Sequence, residues 1–174
     1  VFDIETTGLS TTSDRILEIG AVKVEDGQVI DEFEMMMNPG IPIPPQVSLI
    51  NNIYDDMVSG ADLPGVVLYK FHQFVQDAEY LVGHNAKRFD YPFLESEFDR
   101  YYIKYEPFKV KDTVWVARSK VKGLRSYSLA ALCRARPLRP HPEVPLRPIV
   151  PRGDGEGRRG VRAPEPARPA FSER

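Results

Sequence analysis

The chain has 174 residues, 42% of them hydrophobic and 28% charged, with a net charge of −2. That fits one globular domain with a sizeable core, and no apolar run is long enough to cross a membrane. The single cysteine, Cys133, excludes an internal disulfide and points to a reducing, cytoplasmic setting.

The chain opens at Val1 inside an apparent strand, VFDIET, as though clipped by a few residues, and no charged-then-apolar stretch suggests secretion. Side chains alternate along a strand, so Phe2 and Ile4 share one face while Asp3 and Glu5 share the other. Either that second face is wet, or two carboxylates are being held close together for a purpose. GLSTTSD reads as a loop. ILEIGAVKV, a tight turn at Asp26-Gly27 and VIDEFEMMMNP then complete a three-strand antiparallel meander.

GIPIPP is a stiff connection, and Pro45 to Ile53 has room for a short helix. Pro64 opens a longer helix, with Val67, Phe71, Phe74 and Val75 at helical spacing. YLVGHN is a short apolar strand ending in turn residues. FDYPFLESEFDRYYI is amphipathic, with Phe93, Leu94, Phe98, Tyr101 and Tyr102 in one stripe and Pro92 tolerated in the first turn. FKVKDTVWVARSK predicts a last strand running into a helix. SYSLAALCRA begins another helix, capped by Ser126 or Ser128, in which Cys133 packs as a small hydrophobe. A meander followed by alternating helices and strands implies an α/β domain, one mixed sheet with helices on its faces.

Charge and composition divide the chain. Residues 1–133 carry 13 basic and 20 acidic side chains, whereas residues 134–174 carry 10 arginines and 5 acids. Arg, Pro, Ala and Gly dominate the last segment, and lysine, tyrosine and asparagine vanish from it. Such text buries too little apolar surface to offset its ordering entropy. The expectation is a domain over 1–135 and a disordered tail over 136–174. The front part lacks the excess positive charge of a non-specific nucleic-acid binder, so a polyphosphate substrate there would need bound cations.

Asp3 and Glu5 gain meaning beside LVGHNAKRFDYPFL. In a mixed sheet the tip of the fourth strand and the following helix lie beside the first strand, which brings Asp90 up to the pair. Three acids in a dry site repel one another and shift upward in pKa unless cations bind. A pair of Mg²⁺ ions, or Mn²⁺ in their place, resolves this and creates a centre for in-line attack on a phosphodiester.

These residues resemble the DEDD-type 3′–5′ exonucleases, the family of DNA polymerase III proofreading subunits and domains, which has an RNase H-like fold. FDIETTGL matches the family's first motif and HNAKRFDYPFL its second, with a gap between HNA and FD closer to the TREX-type branch. The likeness covers about residues 1–135. It implies a mixed five-stranded sheet, antiparallel then parallel, flanked by helices. It implies hydrolysis at single-stranded or frayed 3′ DNA ends, releasing nucleoside monophosphates, in the service of a polymerase or helicase. It makes Asp3, Glu5 and Asp90 three of four metal-ligating acids. Leu9 becomes an apolar wedge against the terminal base, Gly8 the point where backbone approaches the nucleotide, and His84 and Asn85 the lining of the same pocket. Each has a plainer reading: Gly8 as a turn, Leu9 as core, His84 and Asn85 as partners for backbone groups, Asp90 as a helix cap. Asp112 has a family counterpart but reads as structural.

The family's third motif, a histidine general base followed five residues later by the fourth aspartate, is not found. The residue five beyond His141 is Leu146, and the residue five before Asp154 is Ile149. The tyrosine variant fails too, since no tyrosine follows Tyr127. Family-like sequence stopping inside a helix, followed at once by Arg/Pro text, is what a reading-frame shift near Ala135 in a GC-rich gene would produce. A natural basic tail on a degenerate enzyme is the alternative. Two other activities stay open: a non-catalytic binder of nucleic-acid ends, and an RNA-directed enzyme of the same family. A haloacid-dehalogenase-like phosphohydrolase also places two acids two apart, but it wants aspartate at both positions and does not account for HNA and FD.

Overall fold

A computed structural model of the chain describes residues 1–135; the expected tail over 136–174, with His141 and Asp154, lies outside them. The elements run β1 (Phe2–Thr6), β2 (Ile16–Glu25), β3 (Gln28–Met36), α1 (Pro45–Asn51), α2 (Asp55–Val58), α3 (Pro64–Val75), β4 (Leu81–Gly83), α4 (Asp90–Arg100), β5 (Val110–Asp112), α5 (Thr113–Lys120) and α6 (Leu129–Ala135). The chain is an α/β fold, as the order of its sequence patterns required. Only α2, a single turn, has no counterpart in those patterns.

β1 pairs antiparallel with β2, placing Asp3 opposite Gly20 and Glu5 opposite Glu18, and β2 pairs antiparallel with β3. The register slips between Glu5 and Thr6, where the strand turns into the loop bearing Gly8 and Leu9. β4 and β5 pair in parallel, Gly83 opposite Asp112. The expected single five-stranded sheet is therefore a three-stranded sheet beside a two-stranded one. The reason is local. β4 and β5 are three residues each, and β4 meets β1 by close packing instead of a ladder. A Cβ on Gly83 would stand 2.7 Å from the Ala86 side chain and 3.0 Å from the Phe2 carbonyl oxygen, so only glycine admits this approach.

Two apolar clusters cover the meander. The larger joins Phe2, Ile4, Ile16 and Ile19 to Val67, Leu68 and Phe71 of α3 and to Phe93, Leu94 and Phe98 of α4. The smaller joins Leu17 to Ile43, Ile53 and Val58. Phe2 and Ile4 point inward as alternation demanded, and the opposite face of β1 is left to Asp3 and Glu5. Cys133 departs from expectation: it is exposed, because α6 buries none of its residues among those described. Ser128 caps α6, its Oγ accepting from the Ala131 amide at 3.3 Å. Among the described residues no helix is long and apolar enough to cross a membrane.

Candidate active site

The end of β1 and the start of α4 bring Asp3 and Asp90 together. Asp90 is buried, and its Oδ1 accepts the backbone N–H of Ile4 at 3.2 Å, fixing the helix start against the strand. Its carboxyl also shares a hydrogen bond with Asp3. Burial first, and the charge of Asp3 second, push Asp90 up to about 6. Asp3 is exposed as a residue, yet desolvation on its inner side raises its carboxyl as well. The hydrogen bond with Asp90 and the charge of His84 oppose that rise. Two carboxyls held this close favour a shared proton or a cation. Glu5 is half-buried on the same strand face as Asp3. Among the described residues no three His, Cys, Asp or Glu side chains form a group able to hold a metal.

An oxygen-only donor pair whose members resist ionising together suits a hard divalent ion.

His84 lies beyond β4 with both ring nitrogens engaged. Nδ1 meets the Thr113 hydroxyl at 2.9 Å and Nε2 meets the Tyr127 carbonyl at 2.8 Å. Nε2 carries a proton, since a carbonyl only accepts. Asn85 is exposed and sits at φ 64°, a left-handed conformation that costs a non-glycine residue energy. Asp112 holds it there: one carboxylate oxygen accepts the Asn85 amide at 3.0 Å and the Val114 amide at 2.9 Å, and the other accepts the Lys87 amide at 3.2 Å. Asp112 thus spends both carboxylate oxygens on backbone amides, as its structural reading expects.

Leu9 is 85% exposed, which rules out a core role. Its loop is nonetheless pinned. Asp14 accepts the Ser10 amide at 2.9 Å and the Thr7 hydroxyl at 3.3 Å, and a Cβ on Gly8 would meet its carboxylate at 2.4 Å. Gly8 therefore answers to Asp14. From α4, Ser96 donates to the Thr11 carbonyl at 2.7 Å and Arg100 to the Thr12 carbonyl at 2.9 Å. Arg100 also pairs with Glu97, which is fully buried and has one oxygen, Oε2, without a hydrogen-bond partner. Burial raises the Glu97 carboxyl, opposed by Arg100 and then Arg15. α4 thus carries Asp90 and also fixes the loop that presents Leu9. None of these latch residues was singled out from sequence. The available signal was Glu97 itself, a charge falling four residues after Phe93 on the apolar stripe.

The sequence model of the RNase_T exonuclease family matches residues 1–142. The chain belongs to that family. Its first two motifs are thus those of the DEDD-type 3′–5′ exonuclease family. It is 42% identical over 132 residues to the PolC-type DNA polymerase III of Caldanaerobacter subterraneus subsp. tengcongensis, covering 76% of this chain and 9% of that protein. The Pediococcus pentosaceus PolC-type polymerase is 37% identical over 134 residues, 77% of this chain and 9% of that protein. The chain spans about a tenth of the length of these relatives. Among solved structures, exonuclease X in complex with 5′ overhanging duplex DNA is 30% identical with a TM-score of 0.60, over 79% of this chain and 72% of that one. E. coli exonuclease I in complex with a dA13 oligonucleotide is 20% identical with a TM-score of 0.68, over 77% of this chain and 35% of that one, a likeness of fold alone.

Proposed function

We propose that residues 1–135 form a divalent-metal-dependent exonuclease domain that removes nucleoside monophosphates from single-stranded or frayed 3′ DNA ends. The observation that carries this is the contact between Asp3 and Asp90, tied through the Ile4 amide inside a family-matched domain. Asp3 and Asp90 would hold the Mg²⁺ or Mn²⁺ ions, with Glu5, on the same face of β1, drawn in to join them when the ions bind. The bound ions would supply a more acidic attacking water and charge stabilisation for the leaving oxygen. In the reaction water adds to the terminal phosphorus, the bond to the 3′ oxygen of the next nucleotide breaks, and that oxygen takes up a proton. Leu9 and the His84–Asn85 turn are the proposed contacts of the terminal nucleotide. Likeness to PolC-type polymerases supports a proofreading or repair role beside a polymerase or helicase, in the cytoplasm.

The test is Mg²⁺-dependent shortening of a labelled single strand. Wild-type activity that falls to background in Asp3→Ala and Asp90→Ala is expected; activity unchanged in Asp3→Ala overturns the metal assignment. A second reading, a binder of DNA ends without hydrolysis, draws on the missing histidine and fourth aspartate. End binding with no shortening by any variant would establish it. An RNA-directed activity is distinguished by running the same assay on a ribo-oligonucleotide. A frame shift near Ala135 is proposed on the change of text there, from family-like sequence to Arg/Pro-rich sequence. The underlying DNA then encodes, in another frame, a histidine and an aspartate five apart; no such pair in either alternative frame sinks that idea.

A further inference from the structure

The basic residues of residues 1–133 are not spread evenly. Residues 1–86 hold 14 acids and only three bases, whereas residues 109–125 hold six bases and one acid, Asp112. That acid is buried and spent on backbone amides. The three early bases are also committed: Lys23 pairs with Asp77, Lys70 with Asp62, and Arg15 with loop carbonyls. Lys109 and Lys111 lie over the Tyr80 ring, 5.9 and 3.5 Å from its centroid. By contrast Lys87, Arg88, Arg118, Lys120, Lys122 and Arg125 are exposed and form no ion pair with an acid among the described residues. Among them stands Trp115, 67% exposed on the first turn of α5, with the Lys87 ammonium 5.7 Å from its ring centroid.

A large aromatic ring left in water beside exposed cations is the combination that binds single-stranded nucleic acid. The cations track phosphates and the ring stacks a base. Its place is tied to the proposed active site through one side chain. Asp112 accepts the amides of Asn85 and Lys87 on one side and caps α5 through Val114 on the other. Lys87 is three residues from Asp90. A duplex offers no unstacked base to such a ring, so a single strand is the ligand the chemistry selects.

We propose that Trp115 and Lys87, with the exposed bases of residues 118–125, form a stacking platform for the single strand leading into the Asp3–Asp90 site. The platform rests on the exonuclease reading but makes a separate claim: it binds nucleotides away from the scissile bond. Affinity would therefore fall with salt.

Trp115 is the only tryptophan, so its emission reports the platform directly. The full chain is titrated with a labelled oligothymidylate of roughly ten nucleotides in the presence of a chelator, following both label anisotropy and tryptophan emission. The expected result is saturable quenching that tracks the anisotropy. Trp115→Ala should weaken binding about tenfold, with most of the affinity restored in Trp115→Phe, and Lys87→Glu should weaken it too. Matching thermal melts confirm that the exposed substitutions leave folding intact. Binding with unchanged emission, wild-type affinity in Trp115→Ala, or equal quenching by a blunt duplex overturns the platform. Shortening is measured in parallel with Mg²⁺. Quenching without shortening sinks the exonuclease reading and leaves the platform standing. Shortening without quenching sinks the platform alone, and absence of both removes both.

Discussion

α4 and α5 flank the same turn, His84 to Phe89, and are built in opposite ways. α4 buries Asp90, Phe93, Leu94, Glu97 and Phe98, and α5 buries nothing. α4 is held along its length by the core and latched by Ser96 and Arg100 to the loop of Leu9. α5 is held at its start, through Asp112 and Thr113. The difference separates two demands on a nuclease. Carboxylates that share a cation must stay within fractions of an ångström, which calls for a helix fixed from every side. A surface that receives a flexible strand gains from exposed rings and long cationic side chains, and burying them would defeat it.

That contrast is easiest to break through packing. Phe93 is fully buried where α4 meets the core, so Phe93→Ala should cost about 3–5 kcal/mol. Val116 on α5 is 54% exposed, so Val116→Ala should change stability by no more than about 0.5 kcal/mol. Urea unfolding of both variants measures the two directly. Comparable losses would mean that α5 is packed as α4 is, and the contrast would fall.

The latch sharpens it further. Removing the Arg100 guanidinium leaves the Glu97 carboxylate buried with no cation on its own helix and frees the Thr12 carbonyl. Arg100→Ala should therefore destabilise by about 3 kcal/mol. Arg100→Lys keeps a charge near Glu97 but not the fork that also reaches the loop. It should melt close to wild type while hydrogen exchange quickens at the Ser10 and Asp14 amides. Unchanged exchange in Arg100→Lys would show that the loop does not depend on α4.

How much of this could be read from the sequence follows the same division. Alternation in FDIE placed Asp3 and Glu5 on one face of β1, and the helical stripe from Phe93 to Phe98 placed Asp90 at a helix start. Period and motif alone carried those. What could not be read is what depends on distance across the fold. Nothing local says that Gly8 answers to Asp14, that His84 is braced by Thr113 and Tyr127, or that β4 packs on β1 without a ladder. Glu97 was hidden because a glutamate in a helix is usually on its wet face. Trp115 was hidden because an aromatic in an amphipathic stretch is usually in the core.

The smallest effect comes from Asp90, where the rigid half meets the chemistry. Its folded-state carboxyl lies at about 6, above the 3.8 of the free side chain, so the folded protein holds this proton more tightly than the unfolded chain. The contribution is complete below about pH 4 and is lost as pH rises through 6. It amounts to on the order of 2 kcal/mol once partial solvent screening is allowed for. In the presence of a chelator, the wild-type protein should lose stability between pH 4 and pH 7 relative to Asp90→Asn, which has no proton to release there. Urea midpoints for the two proteins across that range give the difference. Added Mg²⁺ should reverse the wild-type loss at pH 7 and leave Asp90→Asn nearly unmoved, because only the charged carboxylate gains from a cation. Parallel curves for the two proteins would mean that Asp90 is not under strain, and that the tight packing of α4 serves the core alone.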